Sequence, residues 1–430
     1  MVAAVSMPRY FPERGNDGYR VEHYDLSLDY KVGPNRLIAE ARLSAVATRP
    51  LDRVDLDLGA FRVTRVLVRG KPARFTHRND KLQITPARPL SSSQPFTVDI
   101  RYAGNPRTVS SPWGGLGWEQ LTDGALVASQ PIGAPSWFPC NDTPGNKAAY
   151  RISVTTASPY HVIANGNLIS KLRAGSTTTW VYEQAEPMAT YLATVQIGRY
   201  RIADLPGQVP QRLAFPGDIA SQVRRAFGRQ EQMMTVFTEL FGPYPFTIYT
   251  AVVVDDELEI PVEAQGMSIF GINHVKNGSE RLIAHELAHQ WFGNSLTLAR
   301  WGDIWLHEGF AAYAEWLWSE ASGGDRADEH AKRWHRKLAA LPQDFTLADP
   351  GARRIFDDRV YKRGALTLHA LRRTLGDRAF FVMLREWTTA YRHGVVSTEE
   401  FADLALSYTS GPLDRFFSSW LYDRRLPPLP

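Results

Sequence analysis

The hydrophobic pattern of this 430-residue chain changes period once, and that change limits what each half can fold into. From residue 19 to about residue 200, apolar and polar residues alternate, as in Val21 to Tyr30, Val54 to Leu58 and Phe96 to Tyr102. Alternation at period two is the mark of strands with one buried face. Many short strands punctuated by Gly, Pro and Asn predict an antiparallel saddle or sandwich. The alternation breaks at Asp204-Leu205-Pro206-Gly207-Gln208-Val209-Pro210. Beyond it we expect a helix near 218–241, a short strand at 247–254, and then helices over 280–292, 304–321, 325–340, 359–375, 377–391, 398–409 and 413–422. The reading is α+β, with a β domain over 1–203 and a mainly helical domain over 204–430. Pro427-Pro428-Leu429-Pro430 reads as a surface strap.

Composition narrows the class without naming a function. The chain is 44% hydrophobic and 22% charged, ordinary for a globular protein with a sizeable core. Its net charge of +4 comes from scattered Lys and Arg, with only short pairs such as Arg353-Arg354, so no nucleic-acid surface is expected. No run of about twenty apolar residues is present, so no membrane-spanning helix is expected. Met1 to Arg9 is too short and too weakly apolar to read as a signal peptide. The single cysteine, Cys140, cannot form an intrachain disulfide and reads as a small packed residue. The expectation is a cytoplasmic monomer, with a secreted mature form as the other reading.

The chemistry concentrates in His285-Glu286-Leu287-Ala288-His289, followed after eighteen intervening residues by Glu308. Residues four apart lie one turn apart on a helix, so both imidazoles can reach one ion. Glu280 to Trp291 lacks Gly and Pro and has helical apolar spacing, with Ser279 as its expected N-cap and Gly293-Asn294 as its stop. H-E-x-x-H on a helix is a zinc-binding pattern in which the glutamate serves as general base. Glu308, in the apolar run from Trp301 to Phe310, is the expected third ligand, because burying an unpaired carboxylate is costly. Two histidines and one glutamate leave a fourth tetrahedral position open for water. Asp303 and Glu315 flank Glu308 and are candidates to fix the imidazole tautomers. The other readings are an N-cap for Asp303 and a solvated helix face for Glu315.

These residues resemble those of the gluzincin aminopeptidases, peptidase family M1. The resemblance rests on His285 to Asn294, Trp305 to Ala311, Trp137-Phe138-Pro139-Cys140-Asn141-Asp142-Thr143-Pro144 and Phe241-Gly242-Pro243-Tyr244-Pro245-Phe246. It implies an N-terminal β saddle followed by a thermolysin-like catalytic domain, with one Zn2+ ion and peptide substrates bearing a free N-terminus. It also implies three roles that spacing alone does not give. Tyr361, in Val360-Tyr361-Lys362-Arg363-Gly364-Ala365, matches the family's oxyanion-stabilising tyrosine, with Arg363 where the family usually has lysine. Glu263 falls where the family's G-x-M-E-N loop binds the substrate's amino group, and Gln130 where a second amine-binding Glu or Gln stands.

The chain departs from that pattern in two places. Ile260, Val262 and Ala264 replace the Gly, Met and Asn of the loop, so only its glutamate is kept. The chain also stops soon after Tyr422, which resembles a compact two-domain form without the roofing helical domain of larger members. An endopeptidase, an epoxide hydrolase on the same fold and a non-catalytic scaffold relative are the competing readings.

Overall fold

In the computed structural model, residues 10–276, 280–409, 411 and 413–430 are described. The signal-peptide question at Met1 to Arg9 and the expected cap at Ser279 fall outside them. The chain forms two compact units, one of residues 13–224 and 246–277, the other of 1–12, 225–245 and 278–430.

The first unit is built of sheets. Its largest has eight strands, in the order Asn167–Ala174, Thr177–Met188, Ala148–Ala157, Tyr19–Lys31, Arg36–Ala47, Pro95–Gly104, Arg62–Val68 and Lys71–Pro72. All neighbours are antiparallel except Tyr19–Lys31 with Ala148–Ala157. A bulge between Val21 and His23 shifts the alternation by one residue. Tyr19 and Val21 are buried before it; Tyr24, Leu26, Leu28 and Tyr30 are buried after it. One extra residue thus keeps a long strand's apolar side on the core.

The expected boundary at 203/204 falls inside the strand Tyr200–Leu205. That strand begins a five-stranded sheet ordered Tyr200–Leu205, Gln211–Pro216, Tyr249–Val254, Met267–Gly271 and Val262–Ala264. Its buried side joins Tyr200, Ala214, Val252, Met267 and Ile269 to Leu126 and Ile163 in one hydrophobic cluster. The Pro206–Pro210 break is the turn of a hairpin, and the β pattern resumes beyond it.

The second unit is helical, with its principal helices at Gln230–Phe241, Glu280–Ala288, Trp305–Ala321, Ala327–Ala339, Asp358–Leu375, Asp377–Ala390 and Thr398–Leu406. The helix expected over 218–241 is interrupted after Ala226 and restarts at Gln230. The start signals act as capping chemistry requires. Asp357 accepts from the Arg359 backbone N–H at 3.0 Å, and Ser397 and Glu400 form a capping box. The helices Trp305–Ala321 and Asp358–Leu375 cross at Gly309 and Gly364, where a Cβ on either glycine would lie 2.8 or 2.7 Å from the other's Cα. The paired glycines let the two backbones approach directly.

Candidate active site

The histidine pair begins as expected and ends sooner. The motif helix closes at Ala288, and His289 keeps its place one turn from His285 through its backbone bond to the His285 carbonyl, 3.3 Å. The chain then leaves through wide turns in which Asn294, Ser295 and Leu296 donate to His289, Gln290 and Trp291, with Gly293 at φ 129°. The expected helix over 289–292 is replaced by this turn, whose reversal needs the left-handed backbone that glycine tolerates.

Each imidazole has one nitrogen committed. His285 Nδ1 donates to Glu315 at 2.8 Å, and His289 Nδ1 donates to the Phe292 carbonyl at 3.0 Å. Nδ1 is thus the nitrogen that each of these bonds fixes, and Nε2 is the one turned toward Glu308. Glu308, in the first turn of its helix, places Oε2 3.5 Å from each Nε2. All three side chains are buried. Ligands about 2.1 Å from a tetrahedral ion stand roughly 3.4 Å from one another. The spacing of these three donor atoms therefore fits a metal ion between them.

The charge balance fits as well. Burial works against charge on Glu308, yet His289 and His285 hold its carboxyl well below the usual range. Burial likewise opposes a charged His285, but its bonds to Glu308 and Glu315 carry its pKa up to about 9. Glu315 is held near about 2, against burial, by His285, Lys362 and Arg281. Two buried carboxylates around two imidazoles call for positive charge at the centre, which a proton meets poorly and a divalent cation meets well.

Glu315 and Asp303 separate here. Glu315 lies seven residues after Glu308, two turns along the same face, and orients His285. Asp303 turns away: it accepts from Thr398 Oγ1 at 2.6 Å and pairs with Arg300 at 2.9 Å, and it makes no side-chain cap for the following helix. The solvated-face reading of Glu315 and the N-cap reading of Asp303 are both corrected by these bonds.

Glu286 is buried on the motif helix between the two histidines. Tyr361 is half-buried on Asp358–Leu375, its ring parallel to that of His285 within 15° at a centroid distance of 6.0 Å. The Gly309–Gly364 crossing sets the Glu308 turn against the Tyr361 turn. Arg363 points elsewhere. It donates to the carbonyls of Ser419, Trp420, Asp423 and Arg424 and so ties down the chain's end. Five donors in a planar fork suit four carbonyls better than an ammonium does, which accounts for arginine at this position. Neither its role nor the glycine contact is legible in the sequence, because both depend on partners far along the chain.

Gln130 and Glu263 belong to the β-rich unit. Gln130 is half-buried and joined to Pro131 by a cis peptide bond. Glu263 is 8% exposed on the edge strand Val262–Ala264, opposite Ser268. Gln265-Gly266 closes this hairpin, and Gly266 at φ 71° supplies the conformation that such a turn demands. Asn165 donates to the Gln265 carbonyl at 2.9 Å and Gln265 Nε2 to the Glu186 carbonyl at 3.1 Å, so the altered loop is firmly held. The signature around Cys140 lies in the core of the same unit, with Cys140 fully buried.

Known proteins match both halves of the chain. The peptidase M1 N-terminal domain model matches residues 20–192, and the peptidase family M1 domain model matches residues 225–420. The crystal structure of the M1 zinc metallopeptidase from Deinococcus radiodurans superposes with a TM-score of 0.90 at 31% identity, covering 98% of each chain. The chain belongs to peptidase family M1. A glutamate-to-alanine variant from the same organism, solved with Tyr-Ser-Ala, is equally similar in fold, with a TM-score of 0.90 at 30% identity and 98% of each chain covered. Among longer M1 relatives, the human aminopeptidase RNPEPL1 is 26% identical over 78% of this chain and 48% of its own length. Tricorn protease-interacting factor F2 of Thermoplasma acidophilum is 25% identical over 93% of this chain and 53% of its own length. The chain thus spans about half the length of these two relatives and nearly all of the Deinococcus M1 structure.

Proposed function

We propose that this M1 family member is a zinc aminopeptidase that removes residues one at a time from the free N-terminus of peptides. The observation that carries the reading is the pair of 3.5 Å separations between one Glu308 oxygen and the Nε2 atoms of His285 and His289, with Glu286 on the same helix. These three side chains would hold one zinc ion, and Glu315 keeps His285 oriented for it. Zinc bound there supplies a Lewis acid for the scissile carbonyl and brings the pKa of water toward neutrality. Glu286 accepts a proton from the attacking water and passes it to the leaving amine. Tyr361 donates its phenol hydrogen to the oxyanion that develops at the carbonyl. Glu263, with Gln130, pairs with the substrate's ammonium, so that only the first peptide bond is presented for attack. Its near burial supports this role for Glu263, since a desolvated carboxylate gains most from a cationic partner.

No helix among the described residues is long and apolar enough to cross a membrane. We place the enzyme in the cytoplasm as a monomer; its one cysteine, buried, suits a reducing compartment.

The test is zinc content together with chelator-sensitive release of alanyl or leucyl anilide. Glu286→Gln should retain zinc and lose at least about a hundredfold in kcat, the usual worth of a positioned base. Undiminished turnover in that variant refutes the assignment of the base. Equal cleavage of N-acetylated peptides refutes the amine anchor.

A further inference from the structure

The carboxylate of Glu315, on the helix Trp305–Ala321, is held from two other helices. His285 Nδ1 donates to its Oε1 at 2.8 Å. Arg281, one turn earlier on the motif helix Glu280–Ala288, donates to the same oxygen from Nη1 at 3.0 Å. The other oxygen, Oε2, accepts no hydrogen bond among the described residues and lies 3.6 Å from Lys362 Nζ on the helix Asp358–Leu375. Lys362 follows Tyr361 directly, so one turn of that helix carries both the tyrosine and a cation for the partner of His285.

The two cations are not equivalent. Arg281 makes the shorter contact, but its side chain is 61% exposed. Water screens such a pair, and exposed pairs contribute little. Lys362 stands farther off, yet its side chain is 6% exposed and that of Glu315 5%. A pair this buried is screened much less, and loss of one partner strands the other charge. The Trp334 ring, 5.1 Å from Nζ, gives the ammonium a second attraction that keeps it in place. Glu315 is the one carboxylate within 4.0 Å of that ammonium among the described residues.

We propose that Lys362 is a positioning residue for the metal site: by holding Oε2 of Glu315 it keeps Oε1 on His285 Nδ1, and so keeps the Nε2 of that ring turned toward the ion. It acts through Glu315 alone. Burial, not contact length, makes Lys362 the principal support and Arg281 the lesser one. Without Lys362 the carboxylate is left with the exposed guanidinium, and can swing toward it and away from His285. The proposal rests on the reading of His285 as a zinc ligand.

The experiment measures zinc affinity of the whole protein by chelator competition. Lys362→Met, an unbranched replacement that keeps the apolar stem, should weaken zinc binding about tenfold, the low end of the range for groups that orient metal ligands. Lys362→Gln, which removes the charge and keeps a donor, should do the same and serves if the Met variant fails to fold. Arg281→Gln should cost about threefold or less. Lys362→Arg should restore most of the affinity, because the cavity of about 610 Å³ that Lys362 and Glu315 both line has room for a guanidinium. The deciding comparison places Lys362→Met in a Glu315→Gln background, where it should cost no more than about twofold. A tenfold loss in both backgrounds marks general damage and overturns the proposal. Unchanged or tighter zinc binding in Lys362→Met also overturns it, tighter binding being what plain repulsion between ammonium and metal would give. A larger loss in Arg281→Gln than in Lys362→Met overturns the order of the two supports. His285→Ala checks the parent reading: wild-type zinc affinity there refutes the ligand assignment and this proposal with it. Loss of zinc in His285→Ala beside full affinity in Lys362→Met refutes the role of Lys362 alone.

Discussion

Gly364→Ala tests whether the contact between two helix backbones couples the metal ligands to Tyr361. A Cβ at position 364 would lie 2.7 Å from Gly309 Cα and 3.4 Å from Gly309 N. Carbon atoms rest at about 3.5–4.0 Å, so the helices must part by roughly 1 Å. No flexible side chain can yield there, because the obstacle is backbone. Overpacking of this kind costs about 1–3 kcal/mol, which should lower Tm by several degrees. The same parting moves the Tyr361 turn away from the Glu308 turn, and a misplacement of about 1 Å can cost on the order of a hundredfold in rate. Differential scanning calorimetry on the zinc-loaded protein, with kcat and KM for alanyl anilide, reads both effects. We expect kcat to fall at least about tenfold with a smaller change in KM. Gly33→Ala is the control, since nothing lies within 4 Å of its added Cβ. Gly309→Ala should resemble Gly364→Ala, and the double variant should cost less than the sum, because one separation accommodates both methyl groups. Unchanged Tm and kcat in Gly364→Ala would refute the claim that this crossing sets Tyr361 against the metal ligands.

Three further outcomes follow from the same geometry. Glu315→Gln removes the carboxylate that fixes His285 and should weaken zinc binding about 10- to 100-fold in chelator competition; unaltered affinity sinks that role. Arg363→Met strands four carbonyls of the chain's end and should cost roughly 3 kcal/mol in urea unfolding, whereas Arg363→Lys should recover part of the loss; a neutral Met variant contradicts the anchoring. Asp142, buried beside Asp57, has its pKa pushed up to about 7 by burial first and by the Asp57 charge second. The folded protein then keeps a proton that the unfolded chain loses above its ordinary value of 3.8, so stability falls as pH rises from 3.8 through about 7. The full effect is on the order of 4 kcal/mol. Asp142→Asn should abolish that slope, gaining on wild type between pH 4 and 7 and no further above it. Parallel stability curves for the two proteins would refute the shift. Lys147, lowered to about 7 by burial, acts in a separate window, adding stability as pH rises above 7.

What the sequence made legible depends on how far each residue's partner lies along the chain. His285 and His289 are partners across one helical turn, so their convergence follows from spacing alone. Glu315 is equally readable in principle: seven residues from Glu308 is two turns on one face, and only the reading of a solvated helix face stood against it. Asp303 could not be settled in that way, because Thr398, which claims it, is 95 residues distant. The end of the motif helix was misread for a related reason. Gln290, Trp291 and Phe292 carry no helix-breaking signal, and the wide turn depends on Gly293 alone taking a left-handed conformation. Arg363 and Gly364 mark the limit. Next to Tyr361 they read as parts of one catalytic element, yet Arg363 serves residues 419–424 and Gly364 serves Gly309. A short motif can therefore join three separate physical demands, and only the through-space partners tell them apart.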